Sequence, residues 1–310
     1  MNRVCDIFQN ATKIPGIGMR TEPQLVDELM AFLAEVRLLP IRCQLELNTP
    51  GVTLPMLRGV WGAALHDLDP EAYQVVFEPK SRGNQEAVPL YLLRLAPKDE
   101  SSGPGFEWTL LGEALRFEES CRRAWDIASG RGIGPNRDPF VVRRMLGIAP
   151  GGRLVERPYS WTLADAAKEA PEWLRNGSPL IVHFRVPVRL MRQGQLIRNP
   201  VLMDLVVAAT RRIGLLLPSA QQTAFRDLAY RARDKARAIA QGDFYGQRRD
   251  VRRYSGRQKR EVELYGMVGR LELPEGAGPL WPLLCAAAWI HIGKGTVHGL
   301  GQVVIEQPDE

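Results

Sequence analysis

Twice along the chain a helix-patterned apolar stretch runs into a glycine-rich loop and then straight into strand-patterned residues. The first instance is 115–128, then Gly130-Arg131-Gly132-Ile133-Gly134, then 140–145. The second is 280–290, then Gly293-Lys294-Gly295-Thr296-Val297-His298-Gly299-Leu300-Gly301, then 302–306. A helix that returns to a strand through so tight a turn must lay its apolar face on the sheet that strand belongs to, so the recurrence constrains the fold more than any single motif.

Upstream of each instance the same order of elements recurs. In the first half, Ile41, Cys43, Leu45 and Leu47 alternate with Arg42, Gln44 and Glu46, the period of a strand with one wet face, and Pro50 and Gly51 end it. A helix is expected over 53–66, with Thr53 as N-cap and Pro55 in its first turn. A short apolar segment at 73–77 reads as a small extra strand, and two apolar runs at 90–95 and 106–111, joined by the turn-rich 98–105, read as a hairpin. In the second half, 181–190 alternates Val182, Phe184, Val186 and Val188 with more polar residues, 199–217 is helical, and 262–273 supplies strand material after an insertion at 219–260. Each half therefore reads β-α-β-β-α-β. The expected class is α+β, two tandem ferredoxin-like (RRM-like) domains with an inserted basic helical segment. The expected boundaries are an N-terminal helical extension at 1–37, a first domain at 38–178, and a second at 179–310 that holds the insertion and the loop at 293–301. Within the extension, Thr21 and Gln24 form a capping box ahead of Leu25, Val26, Leu29, Phe32, Leu33 and Val36 at helical spacing.

The 310 residues carry 41 Lys plus Arg against 35 Asp plus Glu, a modest +6 that is unevenly placed. Residues 226–260 alone hold twelve basic and four acidic side chains, so the rest of the chain sums to −2. A near-neutral body with one basic element points to a polyanionic partner. On the helix expected from 219 to about 240, Phe225, Leu228, Ala232, Ala236 and Ile239 form one side, while Arg226, Tyr230, Arg233 and Arg237 recur along another. Arg248, Arg249, Arg252, Arg253, Arg257, Lys259 and Arg260 follow, interleaved with Tyr254. Arg outnumbers Lys ten to two in this segment, which favours phosphate forks and stacking. Nucleic acid is the favoured partner; a solvated charged face is the alternative.

The loop at 293–301 fits neither the P-loop frame nor the dinucleotide fingerprint, since it follows a helix. Gly293, Gly295, Gly299 and Gly301 would let backbone approach phosphate oxygens, with Lys294 adding charge; a tight connection that needs positive φ is the competing explanation. His66, His183, His291 and His298 are the only histidines, and none pairs at a helical metal-motif spacing. His66 ends the first helix near Arg58 and Trp61, facing a cleft or serving as a surface cap. His291 adjoins the loop in a core or supporting role, and His183 sits in a strand as a structural residue. Cys5, Cys43, Cys121 and Cys285 form no Cys-x-x-Cys pair, and Cys43 and Cys285 read as buried thiols. The start of the chain shows no signal-peptide run and the longest apolar stretch, 283–290, is far short of the roughly 20 residues of a membrane span, so a soluble, cytoplasmic protein with no membrane partner is expected.

Arg252-Arg253-Tyr254-Ser255-Gly256-Arg257-Gln258, then Gly266-Met267-Val268-Gly269, then His291-Ile292 leading into the glycine loop, together resemble the C-terminal half of CRISPR-associated RNA-processing endoribonucleases of the RAMP superfamily. The segment from Leu57 to Leu65 and Phe77-Glu78-Pro79 are similar to that family's N-terminal helix and the segment after it, so the resemblance spans about 38–306. It implies two ferredoxin-like domains with the glycine loop at their cleft, and metal-independent cleavage of precursor crRNA at a repeat hairpin, with no cofactor. The 2′-hydroxyl would attack the adjacent phosphate and leave a 2′,3′-cyclic phosphate and a 5′-hydroxyl, and the product would stay bound. His66 matches the family's histidine by position alone; Arg58, Lys294 and Tyr265 are the candidate helpers. The long basic insertion and the N-terminal helix are similar to a variant from minimal type IV systems, in which arginines take over catalysis. Repeat RNA and other subunits of a CRISPR effector complex are the implied partners. The alternatives are a non-catalytic crRNA-binding subunit on the same fold and a binder of double-stranded DNA.

Overall fold

A computed structural model describes residues 22–47, 52–79, 88–96, 105–134, 136–255 and 260–308. Thr21 of the expected capping box lies outside the described residues, as do the hairpin turn at 97–104, Arg257 and Lys259.

Helix α1 (Glu22–Leu33) leads into β1 (Arg37–Leu47), α2 (Leu54–Leu68) and α3 (Pro70–Val76). The hairpin of β2 (Tyr91–Leu95) and β3 (Gly105–Leu111) follows, then α4 (Glu118–Arg131), β4 (Phe140–Ile148), the short β5 (Leu154–Val155) and β6 (Trp161–Thr162), and the short helices α5 (Leu163–Lys168) and α6 (Glu172–Arg175). The sheet order β2-β3-β1-β4-β5 is antiparallel throughout, with β6 paired to β1. One expectation fails at 73–77: this run is helix α3 and no strand. Asp69 accepts the Ala72 N–H at 3.0 Å and Pro70 opens the helix, the Asp-Pro start that the apolar run had masked.

The second half runs β7 (Leu180–Val188), the small hairpin β8 (Met191–Arg192) and β9 (Gln195–Leu196), α7 (Leu202–Leu216), α8 (Ser219–Ala238), β10 (Phe244–Ser255), β11 (Arg260–Leu273), α9 (Trp281–Ile290) and β12 (Val304–Glu306). Its sheet order, β10-β11-β7-β12, places the second, third, first and fourth strands of the unit side by side. The first sheet has that same order for its four long strands, so the fold is two ferredoxin-like units in tandem.

The expected basic helical insertion at 219–260 is only half helical. After α8 the chain becomes strand β10, zipped to β11 from Phe244↔Leu271 to Ser255↔Arg260. No apolar alternation marks β10, because it is an edge strand whose ladder comes wholly from β11, and arginines on an edge discourage pairing with other chains. β11 meets β7 only from Met267↔Val188 onward, so 249–255 and 260–266 continue past that sheet as a two-stranded ribbon.

Aromatic packing organises the first unit. Trp61 of α2 stacks on Trp125 of α4 at 5.1 Å and meets the Tyr91 edge at 5.3 Å, while its Nε1 donates to the Cys121 carbonyl. Each such buried ring contributes about 1.5–3 kcal/mol of apolar transfer. In the second unit α9 is apolar all round and contacts α1, α5 and α7, which suits a helix covered on every side. The units are joined by Trp161 edge-on to Trp289 at 4.7 Å and by α1, whose Phe32 meets Phe225 of α8 at 5.2 Å. Cys43, Cys121 and Cys285 are buried free thiols, and burial pushes all three above their ordinary range, to about 12 for Cys43 and Cys285.

Candidate nucleic-acid interface

The glycine loop is pressed onto the end of β7. The Lys294 N–H donates to the Arg189 carbonyl at 2.9 Å and the Gly301 N–H to the Pro187 carbonyl at 3.0 Å. Gly293 and Gly301 stand at φ 85° and 83°, and a Cβ on either would come within 2.5 Å of a carbonyl oxygen, so both need to be glycine. Positive φ and close approach thus account for these two residues before any ligand is considered. The far side of the loop touches the start of α2 and β2.

Arg189 is the hinge of the site. It lies one residue past β7, donates from Nη2 to the Tyr265 hydroxyl at 2.9 Å, and covers the Tyr265 ring at 4.1 Å. Arg248 of β10 covers the same ring at 4.6 Å, so Tyr265 bridges the basic ribbon to the loop. On its other side the loop borders a groove of about 480 Å³, lined by Arg189, Arg233, Arg237 and the 293–297 stretch of the loop among others. Loop, ribbon and the arginines of α8 therefore form one continuous cationic track on the second unit.

Within that track the charges are unevenly satisfied. Arg233 lies 5.1 Å from the Tyr230 ring centre and bonds Asp234, and Arg237 bonds both Asp234, at 3.3 Å, and the Met203 sulfur, at 3.1 Å. Asp234 faces the stripe and offsets part of its charge. Arg226 is exposed one turn before Tyr230. Arg231 is tied to Glu28 of α1 and serves packing. Arg249 is exposed at Arg249↔Gly266, while Arg252, Arg253 and Arg260 occupy paired positions further along the ribbon.

Of the four candidate catalytic residues, Arg58 and His66 stand on α2, and Tyr265 and Lys294 stand beside Arg189. His66 is exposed near the end of α2, with Nδ1 3.3 Å from Asp67 Oδ1 and its ring edge-on to Tyr73. The His66 and Arg131 hydrogen bonds hold the Asp67 carboxyl below its ordinary range. Arg58 donates to the Tyr91 hydroxyl at 2.6 Å and lies 5.5 Å from the Phe77 ring centre. Tyr265 and Lys294 flank Arg189 on the second sheet. Leu54, at the loop end of α2, precedes His66 by twelve residues, about 18 Å of helix. His183 is a structural residue, 3.0 Å from Glu306 across β7 and β12.

His291 is buried, with Nδ1 3.1 Å from the Leu300 carbonyl and φ at 56°. Burial first, then the Arg94 and Arg212 charges, push its pKa down to about 3, so it is neutral at ordinary pH. The residues that pattern reading missed are Arg189, Arg192, Arg211 and Arg212, all lining the groove. The only signal was the pair Arg211-Arg212 near the end of an otherwise apolar helix.

Residues 182–303 match the family model described as CRISPR-associated endoribonuclease Cas6. Among solved structures, a product complex of Cas6 (TTHB231) is similar with a TM-score of 0.56 at 16% identity, over 88% of this chain and 100% of that one. Thermus thermophilus Cas6 (TTHB231) gives 0.53 at 14%, over 87% of this chain and 99% of that one. A partial Cas6-RT-Cas1–Cas2 complex gives 0.56 at 13%, over 89% of this chain and 47% of that one. No curated protein matches the chain in sequence. At these identities the structural likeness speaks to fold, and the family match covers the 182–303 part that carries the cationic track. The chain thus shares its fold with these structures over 88% of its length and matches the Cas6 family model over 182–303.

Proposed function

We propose that this protein binds the hairpin of a CRISPR repeat along the track of Arg248, Tyr265, Arg189, Lys294, Arg233 and Arg237, cleaves precursor crRNA without a metal, and keeps the product for an effector complex. The single observation that carries this reading is the continuity of loop, ribbon and α8 on one unit, since a cationic path with interleaved aromatic rings suits a phosphate backbone and exposed bases. The 2′-hydroxyl attacks the neighbouring phosphorus, the P–O5′ bond breaks, and a proton passes to the departing 5′-oxygen. The product ends are a 2′,3′-cyclic phosphate and a 5′-hydroxyl. His66, steered by Asp67, is the proposed proton-transfer group; Arg58, Lys294 and Tyr265 are proposed helpers. The division into 38–178 and 179–310 is the proposed domain boundary.

Repeat-hairpin RNA incubated with the protein and EDTA should yield these two ends, and the absence of any cut overturns the catalytic reading. His66→Ala should slow single-turnover cleavage by roughly 10²- to 10⁴-fold with RNA affinity unchanged. A second reading is favoured by one observation, the separation of His66 from the loop: an RNA-binding subunit on which His66 plays no part. Tight hairpin binding by the wild type without any cleavage would select it, whereas cleavage by His66→Ala at the wild-type rate would transfer catalysis to arginines.

A further inference from the structure

Four Asp, Glu, His or Arg side chains are deeply buried among the described residues: Glu107, Asp204, His291 and Arg212. Glu107 is held by Arg42 and Arg94, Asp204 by Arg192 and the Val201 N–H, and His291 by the Leu300 carbonyl. Arg212 differs from all three. It is 6% exposed, its Nε and Nη2 are buried with no hydrogen-bond partner, and no carboxylate among the described residues pairs with it. Desolvation pushes its pKa down only to about 10, which leaves it charged near neutrality.

A buried cation without a counter-charge lowers stability, and a protein gains by neutralising it unless the charge serves something outside the fold. What lies outside is the groove, which Arg212 lines together with Lys294, Arg189, Met203, Val207 and Leu215. The apolar members form a wall and the arginine sits deep. At about 480 Å³ the space falls in the roughly 300–1,000 Å³ range of small-molecule sites. A guanidinium can fork onto two oxygens of a phosphate, and an apolar wall accepts the face of a base.

We propose that this groove is a single-nucleotide subsite for the bound RNA, in which one phosphate pairs with Arg212 and the attached base lies on the wall of Met203, Val207 and Leu215. The inference rests on the reading of the protein as an RNA binder and adds the residue that selects a splayed-out nucleotide beside the stem.

The test uses the full-length protein, a repeat-hairpin RNA with a short single-stranded tail, and adenosine 3′-monophosphate as the small probe. Arg212→Met keeps the side-chain volume and removes the charge. Its melting temperature should equal or exceed that of the wild type while hairpin affinity falls about 10- to 100-fold. The nucleotide should raise the melting temperature of the wild type, but not of Arg212→Met; adenosine should raise neither. Val207→Trp, which fills the groove from an exposed position, should lower affinity without touching the arginine. Tails ending in 3′-phosphate or 3′-hydroxyl separate the two sources: an equal loss in Arg212→Met assigns an internal phosphodiester, a loss confined to the phosphorylated tail a terminal phosphate. A lowered melting temperature with unchanged affinity in Arg212→Met makes Arg212 a structural residue and overturns the proposal. Absence of RNA binding by the wild type, with the nucleotide shift intact, would instead overturn the RNA reading and leave a nucleotide site.

Discussion

Glu107 in the first sheet and Arg212 beside the second are both almost fully buried charges, on two units that share one strand order. Glu107 is gripped by two guanidiniums, so its charge is spent inside the fold. Arg212 faces a groove with none of its charge returned. The glycine loops differ in the same sense. Near Gly132 the chain closes on itself, as Ile133 and Asp138 exchange hydrogen bonds of 2.8 and 2.9 Å, whereas the 293–301 loop borders the groove. One topology thus carries a self-satisfied unit and an open one. Electrostatic satisfaction, and not topology, separates the two units.

The contrast breaks first at Glu107. Glu107→Leu should cost about 3–5 kcal/mol in denaturant unfolding, because Arg42 and Arg94 are left partly buried and unpaired. A loss below about 1 kcal/mol would erase the distinction from Arg212. The next largest effect is pH dependence through His291, whose pKa is depressed to about 3 by burial and by Arg94 and Arg212. The unfolded chain takes up this proton first, so the contribution is intact above about pH 6.5 and declines by about 1.4 kcal/mol per pH unit toward pH 3. His291→Asn should flatten that limb of a stability–pH curve relative to the wild type; an identical slope would mean the site rearranges to admit the proton.

Smaller effects are expected on the track. Arg233→Ala and Arg237→Ala should each reduce the salt dependence of RNA binding by about one unit of slope. An unchanged slope in both would assign these arginines to Asp234 alone. The smallest effect belongs to the exposed pair of Arg143 and Glu46 on the first sheet, where Arg143→Ala should change stability by no more than about 1 kcal/mol and RNA affinity not at all. A measurable loss of affinity there would extend the interface onto the first unit.

Much of the architecture was legible in the chain. Period-two apolar positions marked β1 and β7, helical spacing marked α1 and α8, the Thr53 cap and Pro55 marked α2, and the repeated helix–glycine–strand order announced two like units. Short elements were harder to read. The run at 73–77 fits strand or helix equally, and only its Asp69 cap decides. β10 has no internal pattern because its partner β11, and not its own faces, makes it a strand. The basic residues of 226–260 were plain to read, but which of them stay available was not. Arg231 turns to Glu28, Arg233 and Arg237 share Asp234, and Arg248 lies on Tyr265.

By itself the order of residues determined the two-unit α+β plan, the placement of the glycine loop between helix and strand, and the concentration of positive charge in one segment. These follow from local rules: side-chain period, turn chemistry and counted charge. Tertiary structure alone decided that Arg189 and Tyr265 join loop to ribbon, that His66 lies a helix length from that loop, and that of the neighbours Arg211 and Arg212 the second is the one buried. Adjacent residues on a helix point about 100° apart, so identical side chains one position apart meet opposite solvents once the helix is packed, and no linear pattern distinguishes them.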